Sequence, residues 1–172
     1  MKIRPAQVQD AAAICELINY HAQRGRMLHR SLESVYGAVR DFLVAEDSDG
    51  SIVGCVAVTV YWSDLAEVKS LAVAPGRQGE GIGSKLVSAA VADARGLGVR
   101  RLFALTYEKE FFQRNGFEVI DRQTLPEKVW LECISCPKAE ACDEIAMMYR
   151  IGNGLEAEKV GGREYCQPDE CP

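Results

Sequence analysis

The chain has 172 residues, 48% hydrophobic and 26% charged, the size and balance of one globular domain with a sizeable core, which excludes a disordered or fibrous chain. A formal net charge of −5 supplies no basic field, so nucleic acid is not an expected partner. The longest apolar stretch, Ile52 to Trp62, carries Gly54 and Thr59 and is roughly half of the ~20 residues a bilayer crossing needs. Met1 to Pro5 has neither an apolar run nor a small-residue cleavage site, so no signal peptide, no membrane partner and a cytoplasmic location are expected.

Residues 2–5 read as a short strand with Ile3 inward, ended by Pro5. Asp10 opens a helix whose apolar residues Ala11, Ile14, Cys15, Leu17 and Ile18 follow the 3.6-residue period, with Gly25 as its stop. Ser31 is a good N-cap for a second helix with Leu32, Val35, Val39 and Phe42 on one face. Between the two helices runs Arg24-Gly25-Arg26-Met27-Leu28-His29-Arg30, a connector rich in arginine. Strands over 42–46 and 51–61 flank Asp47-Ser48-Asp49-Gly50, a hairpin turn by composition. Ser63-Asp64 marks another turn, and residues 66–74 form a third long strand stopped by Pro75-Gly76.

A glycine-rich loop over 77–83 then leads into a helix with Ile82, Leu86, Val87, Ala90, Val91 and Ala94 on its buried face, closed by Gly96 and Gly98. A strand over 101–106, a short helix over 108–115 and a strand over 117–120 follow, with a last strand near 144–151. This order predicts an α/β arrangement on a mixed sheet. From Gly152 onward four glycines and five acidic residues without apolar periodicity predict a loose tail.

Seven cysteines, an odd number, are expected as reduced thiols. Cys15 and Cys55 lie in apolar runs and read as small core residues. Cys133-x-x-Cys136 with Cys142 six residues on has the types to ligate zinc or an iron–sulfur centre, but no fourth ligand is evident beyond Asp143 or the tail cysteines Cys166 and Cys171, and packed or reactive thiols are the alternative. No metal is assigned. His21, late in the first helix, reads as an exposed or C-terminal helix residue, and His29 receives no role.

The glycine loop is Arg77-Gln78-Gly79-Glu80-Gly81-Ile82-Gly83. Its glycines let the backbone turn tightly and gather N–H groups at a helix N-terminus, where a pyrophosphate fits. A glycine turn without any ligand is the plain alternative. Gly83-Ser84-Lys85 has the wrong order for a Walker loop, and Gly-x-Gly-x-Gly is not the dinucleotide fingerprint.

Gln78, Gly81 and Gly83, behind Leu71-Ala72-Val73, resemble the acyl-CoA-binding signature of the GNAT superfamily of N-acetyltransferases. Phe111-Phe112-Gln113-Arg114-Asn115-Gly116-Phe117 resembles that superfamily's second signature. The resemblance covers residues 2 to about 121 and implies the GNAT fold, a mixed, mostly antiparallel sheet of six or seven strands flanked by four helices. It implies a catalytic domain over 1–151 with a cysteine-containing insert at 125–143, a flexible tail at 152–172, and acetyl-CoA as cosubstrate. Leu71, Ala72, Val73, Arg77, Gln78, Gly79, Gly81, Ile82, Gly83, Ser84 and Phe112 are the implied acetyl-CoA contacts. A bulge in the fourth strand is implied to turn a backbone N–H from Leu71 to Val73 toward the thioester carbonyl, with Val73 pairing with the pantetheine arm.

A narrower similarity is to the N-acetylglutamate synthases in the form without an amino-acid-kinase domain. It is carried by Met27-Leu28-His29-Arg30-Ser31, by residues 64–73, by Leu102-Phe103-Ala104-Leu105-Thr106 and by residues 111–117. It implies acetylation of the α-amino group of L-glutamate, the first step of arginine biosynthesis. Another amino acid or small amine as acceptor, and an acetyl-CoA-binding sensor without turnover, are the alternatives. A homodimer stays open, dimers being common in the superfamily.

The chemistry requires a base, because an amino acid's amine is mostly protonated near neutral pH. Glu67 falls where the resemblance places the general base; a solvated strand carboxylate paired with Lys69 is the other reading. Phe112 stands where many GNAT enzymes have a proton-donating tyrosine, so Thr106 is implied as the donor, against a plain role capping Glu108-Lys109. Arg30, the backbone of Leu28, and Ser70 are the implied substrate contacts, arginine being the best fork for a carboxylate. For a second carboxylate Arg24 and Arg26 are the candidates, since residues 144–151 do not match the Arg-Asn-Ser segment of longer synthases.

Overall fold

The structure, a computed structural model, describes residues 1–126 and 143–152. The predicted tail and all but the edges of the cysteine insert, with Cys133, Cys136 and Cys142, lie outside the described residues.

Seven strands form one mixed sheet: β1 (Lys2–Pro5), β2 (Phe42–Glu46), β3 (Ile52–Trp62), β4 (Leu65–Val73), β5 (Arg101–Thr106), β6 (Glu118–Val119) and β7 (Ile145–Arg150). Their spatial order is β1-β2-β3-β4-β5-β7-β6, and every neighbouring pair is antiparallel except β4–β5. Four helices accompany it among the described residues: α1 (Ala11–Ala22), α2 (Leu32–Gly37), α3 (Ile82–Gly96) and α4 (Lys109–Arg114). The expected sheet and helix content is therefore present.

The two faces of the sheet are covered by different helices. On one, α3 lays Ile82, Leu86, Val87, Ala90, Val91 and Ala94 against Val56 and Val58 of β3 and Ala66 and Val68 of β4, the face its period predicts. A wholly buried leucine such as Leu86 contributes about 2 kcal/mol by removal from water. The helix sits so close to β3 that a Cβ on Gly54 would stand 2.9 Å from the Leu86 side chain. On the opposite face, Ala11, Ile14, Leu17 and Ile18 of α1 and Val35 of α2 pack on Phe42, Val44, Cys55, Ala57 and Ala72.

Two expectations change here. The second helix stops at Gly37, Val39 enters a 3-10 turn over Val39–Asp41, and Phe42 begins β2. A run of apolar residues at helical spacing was broken because Phe42 is worth more inside the sheet, where it is fully buried. Ser31 does cap α2, its hydroxyl accepting from the Ser34 N–H at 3.1 Å. His21 stands in the last turn of α1, as one of its two readings had it, but it is buried rather than exposed, its ring against the carbonyl of Val73 at the end of β4. No helix among the described residues is long and apolar enough to cross a membrane.

Candidate active site

The site begins where two strands separate. Strand β4 pairs with β5 only through Leu65–Glu67 against Arg101–Phe103, while β5 continues to Thr106 beside β7. Beyond Glu67 the parallel pair opens. Within the freed part of β4 the pairing with β3 slips: Cys55 faces Ala72 and Ala57 faces Lys69, so Ser70 and Leu71 together oppose Val56. That is a β-bulge, and Ser70 takes φ +54°, a left-handed conformation rare outside glycine. The bulge switches the strand's parity, so Ala72 returns to the face that carries Glu67 and Lys69. The bulge that the resemblance implied is thus present, centred on Ser70 and Leu71.

A cleft of about 450 Å³ opens at this split, and Glu67, Ser70, Leu71, Thr106 and Phe112 line it together with Leu28 and Arg30. Residues distant in sequence are thereby brought into one site. Glu67 is 8% exposed, so it is no solvated strand carboxylate. The Tyr61 hydroxyl donates to Glu67 Oε2 at 3.0 Å, and Lys69 Nζ stands 3.9 Å from the same oxygen, so the pairing with Lys69 is found as well. Lys69 in turn donates to the Tyr61 hydroxyl at 3.4 Å. Tyr61 reaches this place because β3 carries a second irregularity, Val60 facing Ala66 and Trp62 facing Leu65, with Tyr61 extra between them. A bulge re-aims a side chain, and nothing in the alternation of β3 announces it.

Thr106 is buried at the end of β5, and its Oγ1 accepts from the Glu108 N–H at 2.9 Å. The capping contact expected of it is real, and it leaves the hydroxyl proton able to point elsewhere. Phe112 is buried from α4, edge-to-face with Phe111 and Phe117, and presents no polar atom.

The loop over 77–83 lies outside this cleft, at the start of α3. Gly79 and Gly81 have φ of +86° and +77°, which explains two of its glycines. Gly83 is different: it lies inside α3 without a positive φ, and a Cβ there would meet the Phe111 ring at 3.2 Å. Among the described residues no side chain caps α3, and a helix N-terminus of that kind has the donors a pyrophosphate requires. Gln78 and Ser84 border the same turn. The side chain of Ile82 is in the core, so only its backbone faces that way. Arg77 is tied to Asp47 at 2.6 Å and to Glu80 at 2.9 Å, an arrangement that braces the loop against the β2–β3 turn.

The opposite wall is the connector after α1. Arg26, Met27, Leu28, His29 and Arg30 all line the cleft. Among the described residues the Arg30 guanidinium forms no ion pair. Its backbone is held by Asn19, whose Oδ1 accepts from the Arg30 N–H at 2.9 Å and whose Nδ2 donates to the Arg30 carbonyl at 2.8 Å. Arg24, one of the candidates for a second carboxylate, is not available: it stacks 3.5 Å from the Tyr20 ring centroid and donates to the Tyr20 carbonyl at 2.7 Å. Arg122 and Lys69 line the cleft in addition to Arg26, and neither Tyr61, Asn19 nor Arg122 was singled out by the sequence.

The two described cysteines divide. Cys55 is wholly buried, and burial pushes its thiol up to about 12, so it stays a protonated core residue. Cys15 is only half-buried, its Sγ 3.5 Å from the Arg30 carbonyl, at the margin of the core rather than inside it.

Comparison with known proteins agrees with this architecture. Residues 38–119 match the acetyltransferase (GNAT) domain family. The chain is 42% identical over 146 residues to an uncharacterized N-acetyltransferase of Chlorobaculum tepidum, covering 85% of this chain and 94% of that protein. It is 38% identical over 152 residues to the amino-acid acetyltransferase of Mycobacterium tuberculosis, covering 87% of this chain and 80% of that one. The N-acetylglutamate synthase of Neisseria gonorrhoeae, solved with coenzyme A and N-acetyl-glutamate, superposes with a TM-score of 0.80 at 31% identity. That match covers 88% of this chain and 35% of the synthase, so the chain spans about a third of that larger protein. Sequence, split sheet and glycine turn agree, and the chain belongs to the GNAT acetyltransferases, enzymes of N-acetyl transfer for which acetyl-CoA is the cosubstrate.

Proposed function

We propose that the chain acetylates the α-amino group of an amino acid carrying a second carboxylate, with L-glutamate as the leading acceptor, as at the start of arginine biosynthesis. The observation that carries this reading is the composition of the cleft: a buried carboxylate, Glu67, shares it with Arg26, Arg30, Lys69 and Arg122, which outnumber the lining carboxylates Glu67, Glu108 and Glu144. A base beside several cations suits an acceptor that is an amine and an anion at once. The names of the relatives lend support, two of them being an amino-acid acetyltransferase and an N-acetylglutamate synthase.

In this reading the amine nitrogen attacks the thioester carbonyl carbon, the carbon–sulfur bond breaks, and the amine's proton passes to Glu67 directly or through one water. A backbone N–H at the Ser70–Leu71 bulge stabilises the oxyanion. Thr106 gives its hydroxyl proton to the leaving thiolate as water reprotonates the threonine oxygen, the task that Phe112 has no atom to perform, and Glu67 then releases the amine's proton to solvent. Arg30 grips one substrate carboxylate in a fork, with the Leu28 backbone beside it and Ser70 facing the substrate; Arg26 or Arg122 meets the second.

The test is a free-thiol release assay with acetyl-CoA against a panel of amino acids and polyamines, with Arg30→Ala beside the wild type. Turnover of glutamate, with its KM raised about twentyfold in Arg30→Ala, is the expected result. Turnover of a different amine alone removes glutamate from the reading, and CoA binding without any turnover favours a sensor.

A further inference from the structure

The last turn of α1 touches both halves of the site while contributing nothing to the cleft lining. Asn19 clamps the Arg30 backbone through both its amide atoms, as described. Two residues on, His21 is 5% exposed, and its Nε2 lies 2.8 Å from the carbonyl oxygen of Val73, 52 residues away at the end of β4. A carbonyl only accepts, so Nε2 carries the proton in this contact. The ring is held at its other side edge-to-face with Tyr20, centroids 5.3 Å apart, and Tyr20 is covered by the Arg24 guanidinium. The main chain of the same residue launches the connector, the His21 carbonyl accepting from the N–H groups of Arg24 and Arg26 at 3.1 and 3.2 Å.

We infer that Asn19 and His21 are positioning residues, one for each substrate, and that the final turn of α1 sets the distance between the acceptor and acetyl-CoA subsites. The argument is geometric. Arg30 lies on an irregular connector with no sheet or helix ladder to hold it, so its guanidinium is placed from a backbone that Asn19, and more weakly the Cys15 thiol, hold still. Asn19 satisfies both backbone groups of that one residue, a bidentate contact that a loop residue seldom receives from one side chain. Val73 stands just beyond the Ser70–Leu71 bulge, where β4 has left β5 and has lost a neighbour on that side. A buried imidazole on its carbonyl fixes the peptide plane of the strand end from which the bulge and the loop over 77–83 extend. A spacing of two positions on a rigid helix turn then ties the two placements together.

The Asn19 half rests on the proposed reading of Arg30 as the acceptor's anchor; the His21 half requires only the acetyl-CoA site. Both KM values are measured by thiol release on the full chain, with CoA binding by calorimetry as a second readout. Asn19→Ala is expected to raise the amino-acid KM about tenfold and leave the acetyl-CoA KM within about twofold. His21→Ala is expected to do the reverse, raising the acetyl-CoA KM and weakening CoA binding about fivefold. His21→Gln, which can offer an N–H in the place of Nε2, restores most of that loss. Asn19→Asp, which keeps the acceptor and removes the donor, serves if Asn19→Ala does not fold.

A lowered melting temperature with both KM values unchanged overturns the inference, as does an equal rise of both KM values in either variant. If Arg30→Ala raises the amino-acid KM and neither Asn19 variant does, the inference fails and the acceptor reading stands. If Arg30→Ala leaves that KM unchanged, the acceptor reading fails, while the CoA titrations of His21→Ala and His21→Gln still decide the other half.

Discussion

The two walls of the site are made of different materials. The surface proposed for acetyl-CoA is backbone: a bulge at Ser70 and, beyond the cleft, left-handed glycines at 79 and 81 and the uncapped N-terminus of α3. The wall proposed for the acceptor is side chain: arginines on a connector, a lysine and a tyrosine from neighbouring strands, and an asparagine that holds the connector down. Backbone donors recognise what every acyl-CoA shares, the phosphates and the amide-bearing arm, and they cannot easily be changed one at a time. Side chains on an irregular segment can be exchanged singly, so one fold accepts many amines. The difference predicts that damage to one wall shows in one substrate's KM, and damage between them in turnover.

The largest effect is expected at the junction. Glu67→Gln keeps the shape and removes the proton acceptor, and kcat is expected to fall by about a thousandfold with both KM values nearly unchanged. A wild-type kcat in that variant would remove Glu67 from the chemistry. Next comes the backbone wall. Gly81→Val places a β-branched residue at φ +77°, where the added Cβ meets nothing within 4 Å, so only the strained backbone is at work. The acetyl-CoA KM is expected to rise about tenfold while the amino-acid KM stays level; a rise in both would show the walls to be coupled.

Tyr61→Phe deletes the hydroxyl that links Glu67 with Lys69 and is expected to lower kcat about fivefold, read in the same assay. The smallest kinetic effect belongs to a pair remote from both walls. Asp10 accepts from Arg4 at 2.6 and 3.0 Å and from the Gln7 N–H at 2.7 Å, and Arg4 also bonds Glu46. The hydrogen bonds from Arg4, ahead of that from Gln7, hold the Asp10 carboxyl below its ordinary range. A depressed carboxyl stabilises the fold above its unfolded pKa of about 4, and that stability is lost as pH falls through the folded value. Thermal melts of Asp10→Asn should therefore lie about 5 °C below wild type at neutral pH, converge with it on acidification, and leave both KM values unchanged.

Much of the fold was legible because its signals are local. The buried face of α3 was readable from Ile82 to Ala94, and the hairpin turn over 47–50 from its composition. The glycine loop was legible for the same reason, since positive φ and uncapped donors leave a mark in residue type. The acceptor wall left no such mark. Asn19 and Arg30 are 11 positions apart, and nothing in an amphipathic helix distinguishes an asparagine that clamps a loop from one that faces water. Arg24 and Arg26 looked alike in the sequence, and a neighbouring tyrosine ring took one of them.

The order of strands and helices, the glycine turn before α3 and the residue types that acetyl transfer needs were all readable along the chain, because they follow from periodicity, backbone conformation and chemistry at short range. Only the tertiary structure decided where β4 and β5 part, that the bulge falls on Ser70 and Leu71, that Tyr61 turns onto Glu67, and that His21 lies beneath Val73. Those are questions of register and of contacts between segments up to 52 positions apart, and they are settled by packing rather than by the preference of any one residue.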